Sequence, residues 1–270
     1  MPDSNRVLVD VRDGIATVSL NRADKHNALD LPMFDAIVDA AAQLRKRKDL
    51  RVVILRGAGP SFCSGLDVGS VLGKPLKMAR SFATYGLRRA NVFQQVGLCW
   101  RELPVPVIAA IHGSCYGGGL QIALGADFRI AAADAKLSIM EVKWGLVPDM
   151  SGTVTLRELM PLDVAKKLAM TGQIVSGMEA LALHLVTEVA ADPYAAALEL
   201  AQALIARSPD ALAGTKQLFD SNWRSVGEAG ALGLERKIQL RMLLGPNQRE
   251  AGKANVEKRA PVFKPRSFGG

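Results

Sequence analysis

Two stretches of this 270-residue sequence carry residue types and spacings from which a reaction centre can be built. The first runs Gly57-Ala58-Gly59-Pro60-Ser61-Phe62-Cys63-Ser64-Gly65-Leu66-Asp67, and the second His112-Gly113-Ser114-Cys115-Tyr116-Gly117-Gly118-Gly119. Neither is a dinucleotide fingerprint, because a GxGxxG begun at Gly57 would need glycine where Phe62 stands. Neither is a phosphate-cradling GxxxxGK[ST] loop, and neither holds the GxSxG of a serine-hydrolase elbow. Three glycines entering a helix do expose backbone N–H groups, and an oxyanion gains from those donors and from the helix dipole. The same triplet would serve tight packing of a helix on a sheet, so spacing alone leaves both uses open. His26, His112 and His184 form no HxH or HxxxH pair, and no metal site is expected. Cys63 and Cys115 lie in these loops without an evident base and read as small packing residues.

The elements around them follow from the hydrophobic pattern. Val7, Val9 and Val11 alternate, Asp13-Gly14 signals a turn, and Ile15 to Leu20 return, which predicts a hairpin. Leu31, Phe34, Ile37, Val38 and Leu44 have helical spacing. Val52 to Leu55 and Val105 to Ile111 are short apolar runs of the kind buried on both faces of a parallel sheet. Between them, Phe82, Tyr85, Phe93, Val96, Trp100 and Leu103 predict a helix over 79–103 that borders the ligand. A helix from the glycine triplet to Leu124 and a strand over Phe128 to Ala131 complete a further unit. Strands alternating with helices imply an α/β fold with right-handed crossovers. Both glycine loops follow buried strands, where such folds place their ligands. Beyond residue 193 no strand is expected, only helices over 194–206, 209–220, 228–243 and 247–258. The division is an α/β core over 1–192 and a helical region over 193–270.

Bulk properties narrow the classes. A hydrophobic fraction of 49% supports a sizeable core, and no apolar run approaches the roughly 18 residues of a membrane span. The opening MPDSNRVLVD has two acids and no apolar run, unlike a secretory signal. Three cysteines, none in a CxxC pair, suit reduced thiols in a cytoplasm. The net charge of +8 permits nucleic acid, membrane headgroups or a phosphorylated small ligand as partner. The basic residues are scattered, however, and no aromatic-basic interleaving of an RNA-recognition segment occurs, so neither nucleic acid nor membrane is expected.

Taken together, the two loops resemble segments of the crotonase family, the enoyl-CoA hydratase/isomerase group. Ser61 to Asp67 is similar to its F-[SC]-[AS]-G-x-D segment. Val107-Ile108-Ala109-Ala110-Ile111-His112-Gly113, continuing to Gly117-Gly118-Gly119 and Ala126-Asp127, is similar to its VIAAxxG…GGG…AD segment. Asn21-Arg22 with Asn27-Ala28-Leu29, and Glu257 to Lys264, resemble its entry loop and its EKRxPxF tail. The agreement spans nearly the whole chain in order. The resemblance implies the ClpP/crotonase-like fold of repeated ββα turns, with the C-terminal helices serving trimerisation, as a homotrimer or a dimer of trimers. It implies an acyl-CoA thioester as substrate in fatty acid metabolism, with no cofactor beyond the coenzyme A of the substrate. It also implies an oxyanion hole from the N–H groups of Leu66 and Gly118. Lys25, His26 and Ala28 would lie along the CoA nucleotide, Ser64, Gly65, Asp67 and Gln121 would line the substrate, and Lys264 would reach a CoA phosphate in its own or a neighbouring subunit's site.

The acids choose the reaction. Hydratases of this family carry two glutamates, one two residues after the glycine triplet and one about twenty residues later. Here the first position is Gln121 and the second matches Glu141. An amide cannot exchange a proton at neutral pH, so Gln121 can hold a water or a polar group but cannot be a base. A 3-enoyl to 2-enoyl isomerase needs only the carboxylate at Glu141. Dienoyl isomerases add an aspartate eight residues on, where Asp149 stands, but also carry an acid at the Gln121 position. Isomerisation by Glu141, with Asp149 as a second acid, is the leading expectation. Hydration, or a non-catalytic RNA-binding role, are the alternatives.

Overall fold

The computed structural model describes residues 6–72, 90–223 and 227–269. β1 (Val7–Arg12) and β2 (Ile15–Leu20) pair antiparallel about Asp13 and Gly14, whose φ angles are 50° and 78°. Two successive left-handed residues are what a two-residue hairpin turn of the right twist requires. α1 (Leu31–Lys46) starts where the Asp30 side chain accepts the Met33 N–H at 3.0 Å, and buries Met33, Phe34, Ile37 and Leu44. β3 (Val52–Gly57) then pairs parallel with β2.

After the short α2 (Val68–Leu72) comes α3 (Val92–Arg101). The helix expected over 79–103 is thus seen from 92, and Phe82 and Tyr85 lie outside the described residues. Asn91 and Gln94 form a reciprocal cap at its start, each side chain bonded to the other's backbone N–H. That Asn-x-x-Gln signal stands in the sequence. β4 (Val107–Ile111) is two residues shorter than the apolar run, since Pro106 has no N–H to give the ladder and only its carbonyl bonds Val53.

β4 leads into β5 (Ser114–Tyr116) and α4 (Gly118–Ala123). β6 (Phe128–Ala131) leads into β7 (Lys136–Ser138), a 3-10 turn over Glu141–Trp144 and α5 (Gly152–Leu159). α6 (Leu162–Thr171), β8 (Val175–Ser176), α7 (Gly177–Ala182) and β9 (Glu188–Val189) follow. Each turn of chain places one strand in a six-stranded sheet of order β1-β2-β3-β4-β6-β9, parallel from β2 onward. The next short strand enters a second sheet of order β5-β7-β8, which an isolated Cys63–Cys115 bridge extends. Strands of two or three residues are too short for a pattern, so β5, β7, β8 and β9 escape a periodicity reading.

The main core lies between the large sheet and helices α1 and α3, with Trp100 fully buried and the Phe34 and Phe93 rings edge-on at 5.0 Å. The other face, Val52, Ile54, Ile108, Ala110 and Ile130, is covered by Ala197 and Ala201 of α8 (Pro193–Ile205). α9 (Pro209–Asn222), α10 (Glu228–Leu243) and α11 (Pro246–Glu257) complete the helical C-terminal region where the sequence places it. Asp210 holds the chain end, accepting the N–H groups of Ser267 and Phe268 at 2.7 Å each.

Candidate active site

The two glycine loops are sewn to each other through backbone. Phe62 N–H donates to the His112 carbonyl at 2.9 Å, Cys63 N–H to the Ser114 carbonyl at 3.0 Å, and Tyr116 N–H to the Cys63 carbonyl at 2.9 Å. Leu29 brackets the other side, donating to the Gly65 carbonyl and accepting from Asp67 N–H. The approach is close enough to demand glycine. A Cβ on Gly119 would fall 2.7 Å from the Cys63 carbonyl oxygen and 2.6 Å from its Cβ, and one on Gly65 would fall 2.8 Å from the Tyr116 oxygen and 3.8 Å from Gly118 N. Between these loops, the N–H groups of Leu66 and Gly118 donate to no acceptor among the described residues. Two such donors, Gly118 at the start of a helix and Leu66 in the facing loop, can receive a negative charge that develops on a carbonyl oxygen.

Glu141 enters from the opposite side. Gly117 lies beneath it, so that a Cβ there would sit 3.3 Å from Glu141 Oε1. The carboxyl is 9% exposed and asymmetrically held: Oε1 accepts from Gln121 Nε2 at 2.5 Å, while the buried Oε2 has no hydrogen-bond partner among the described residues. Burial pushes its pKa above the ordinary carboxylate value, opposed by its own backbone N–H and by the Gln121 bond, and the charge of Asp149 adds to the rise. A poised carboxylate with one bare oxygen can accept a proton and then return it.

Gln121, expected among the substrate contacts, is 1% exposed and bonded to protein at both ends of its amide. Its Oε1 accepts the N–H groups of Met150 and Gly152, at 2.9 Å each. Two donors on that oxygen leave the NH2 end to face Glu141. Asp149 precedes this cradle, is itself exposed, and has its pKa raised by partial withdrawal from water.

The entry loop is fixed by Asn27, whose side chain donates to the carbonyls of Ala58, Ser61 and Phe62. His26 Nδ1 bonds Ser61 Oγ at 2.9 Å, and Ser64 N–H donates to the His26 carbonyl. Lys25 and His26 are exposed and Ala28 and Ser64 half-buried, so this rim faces solvent. Asp67 is engaged by Arg22 at 2.7 Å, which together with Ser70 holds its pKa low; it braces the loop. Lys264 is exposed on the C-terminal segment, its backbone bonded to Asn247 of α11. The Cys63 thiol is fully buried and its pKa pushed up to about 12, which removes it as a nucleophile.

This arrangement can be set against known proteins. A family model described as enoyl-CoA hydratase/isomerase matches residues 10–266. The chain belongs to the enoyl-CoA hydratase/isomerase family. The enoyl-CoA hydratase EchA19 of Mycobacterium tuberculosis is 33% identical over 261 residues, covering 96% of each chain. A peroxisomal Delta(3,5)-Delta(2,4)-dienoyl-CoA isomerase of Arabidopsis thaliana is 32% identical over 252 residues, covering 90% of each. The crystal structure of an enoyl-CoA hydratase from Bacillus anthracis superposes with a TM-score of 0.88 at 30% identity, over 96% of this chain and 99% of that one. The fold is therefore the crotonase fold, and the proteins similar to this chain include both hydratases and a dienoyl-CoA isomerase.

Two features of the site leave no signal in the sequence: the Met150 and Gly152 cradle around Gln121, and the position of Ser151 between them. Asn27 was visible as part of the entry-loop motif. The cradle joins residues 29 and 31 positions apart, and nothing local announces it.

Proposed function

We propose that this family member moves the double bond of an enoyl-CoA ester, with Glu141 as the single carboxylate that removes and returns the proton. The supporting observation is the orientation of the Gln121 amide, which places an N–H donor, not a second acid, against Glu141. In this reading the thioester oxygen of a 3-enoyl-CoA sits between the N–H groups of Leu66 and Gly118. Glu141 Oε2 takes a proton from C2, and the electron pair moves through the thioester carbonyl to form an enolate held by the two donors. The neutral Glu141 then gives that proton to C4 as the pair returns, leaving the 2-enoyl ester with atoms and charge balanced. Burial that raises the Glu141 pKa makes it a better donor in the second half of the cycle.

Coenzyme A itself belongs to the substrate, and the reaction needs no further cofactor. Its nucleotide runs along Lys25, His26 and Ala28, beside Ser64 and Gly65. Lys264 reaches a CoA phosphate, in its own or a neighbouring subunit's site, within a trimer or dimer of trimers in the cytoplasm. Among the described residues no helix is long and apolar enough to cross a membrane. A second reading is hydration of a 2-enoyl ester, which the names of similar hydratases favour. It would require water to be activated by Glu141 alone, beside an amide.

The test is turnover of 3-enoyl-, 2-enoyl- and 3,5-dienoyl-CoA by wild type, Glu141→Gln and Asp149→Asn, read by product mass and ultraviolet absorbance. Unchanged mass with a shifted double bond, lost in Glu141→Gln, supports isomerisation; dependence on Asp149 selects the dienoyl route. Gain of one water from the 2-enoyl ester as the faster reaction overturns it.

A further inference from the structure

The C-terminal tail runs back along α11, and two side chains about one turn apart on that helix hold it. Asn247 is fully buried, and its amide bonds both backbone groups of a single residue. Its Oδ1 accepts the Lys264 N–H at 2.8 Å, and its Nδ2 donates to the Lys264 carbonyl at 3.2 Å. Nδ2 donates also to Asp210 Oδ2 at 2.8 Å. Asp210 is itself buried, and a carboxylate only accepts, so it fixes which end of the amide carries the N–H groups. An amide turned this way offers Lys264 what a neighbouring strand would, one acceptor and one donor. Glu250, on the same helix, accepts the Val262 N–H at 2.7 Å and pairs with both terminal nitrogens of Arg259, at 2.6 and 3.1 Å.

Between these clamps the side chains of the tail alternate. Val262 and Lys264 are exposed, whereas Phe263 is half-buried, with the Arg51 guanidinium 5.6 Å from its ring centroid. Beyond Pro265, the Arg266 N–H donates to the Lys48 carbonyl at 3.1 Å. The backbone on both sides of Lys264 is thus fixed, yet its ammonium has no partner among the described residues. Lys48 and Arg51 stand at the start of β3, and the first glycine loop begins at its far end. A strand of that length spans roughly 20 Å, which leaves a neighbouring subunit's nucleotide, rather than its own, within reach of Lys264.

A tail that needed only to be tied down could be held at any residue. Here the buried amide takes hold of one whose side chain is charged, exposed and unpaired among the described residues. A lysine gives up rotamer freedom when its ammonium binds an anion, and a backbone fixed in advance lowers that ordering cost.

We propose that Asn247 is a positioning residue for acyl-CoA binding, holding Lys264 so that its ammonium is aimed at a phosphate of the CoA nucleotide in a neighbouring subunit's site. The inference rests on the reading of Lys264 as a CoA-phosphate contact and assigns the group that aims it.

The test compares hexanoyl-CoA with hexanoyl-pantetheine, which has the same acyl group and thioester but no phosphate. Both are saturated, so binding is read apart from any turnover. Each is titrated calorimetrically into the full chain as wild type, Lys264→Ala, Asn247→Ala and the double variant. Lys264→Ala should weaken hexanoyl-CoA binding about tenfold, the worth of one charge-assisted hydrogen bond, and leave the pantetheine ester unaffected. Asn247→Ala should weaken hexanoyl-CoA alone, by about threefold, the ordering cost of one long side chain. It should add nothing in the Lys264→Ala background, because the group it aims is gone. Where thermal melting shows Asn247→Ala unfolded, Asn247→Ser repeats the comparison, since its short side chain cannot bridge both backbone groups. Three results overturn the positioning role and leave the Lys264 contact standing: no effect of Asn247 substitution while Lys264→Ala acts, an effect that persists in the double variant, or one that extends equally to the pantetheine ester. Unchanged hexanoyl-CoA affinity in Lys264→Ala overturns the contact and the inference together.

Discussion

The corner built from the loops after β3 and β4 faces the segment from Met140 to Gly152 across one site, and the two are held by opposite means. The corner is backbone against backbone. Its loops are joined by three main-chain hydrogen bonds of 2.9 to 3.0 Å, and its glycines fit where no Cβ can. The opposite segment is anchored largely by side chains. Val142, Trp144, Leu146 and Val147 are exposed along it, and the N–H groups of Met150 and Gly152 depend on the amide of Gln121. A structure made of main chain tolerates changes of side chain, whereas one hung on a single amide changes with that residue. The corner is thus suited to what hydratases and isomerases share, stabilising a thioester enolate. The segment is where one fold can choose among reactions.

Four substitutions sharpen or break that contrast. The largest effect is expected from Glu141→Gln, which removes the base and should lower kcat by about 10²–10⁴-fold. Stability should move the other way. The Glu141 pKa is raised in the folded protein, so the folded state binds this proton more readily than the unfolded one, and the charged form is a liability above that pKa. Glu141→Gln should therefore match or exceed wild type in Tm at neutral pH. The advantage should shrink as pH falls through the folded pKa toward the ordinary value, which thermal melts across pH would show. A clear loss of Tm at neutral pH would contradict the assignment of Glu141 as a buried, poised group.

Next in size, Gly119→Ala forces a methyl against the Cys63 carbonyl and pushes the two loops apart. Loss of one aligned donor costs about 10²–10³-fold in kcat. The overpacking should also cost about 1–3 kcal/mol of stability, measured by urea unfolding. Gln121→Glu is smaller and more telling. A carboxylate in place of the Nε2 donor repels Glu141 and raises its pKa further, so the acid limb of the pH–rate profile should move to higher pH. The same change supplies the second acid that hydration uses, and water addition to a 2-enoyl ester should appear or increase. Asp149→Asn is expected to have the least effect on 3-enoyl turnover, a few-fold at most. Because the Asp149 charge contributes to the raised pKa of Glu141, its removal should shift the same limb to lower pH.

The contrast also explains what could be read from the sequence. The apolar runs at Val52–Leu55 and Val107–Ile111 and the triplet Gly117–Gly119 announce the corner, because buried parallel strands and close backbone approach leave compositional marks. The C-terminal helices are legible from runs of helix-forming residues opened by Asp192-Pro193, Ser208-Pro209 and Gly245-Pro246, since α10 and α11 carry little apolar periodicity. The opposite segment leaves no such mark. Glu141 and Asp149 come from resemblance and spacing, but their setting depends on Gln121, which is distant in sequence and joined by hydrogen bonds that follow no pattern. Ser151 reads as an ordinary loop serine until its left-handed backbone and unpaired hydroxyl are seen.

The most direct test of the central claim, that Glu141 is the sole base acting on an enolate held by the corner, is hydrogen exchange at C2. A saturated acyl-CoA is incubated with enzyme in deuterium oxide and followed by proton NMR. The account predicts stereospecific uptake of one deuterium at C2, abolished in Glu141→Gln and retained in Asp149→Asn. Exchange that persists in Glu141→Gln, or its absence in a wild-type enzyme saturated with the ester, would contradict it.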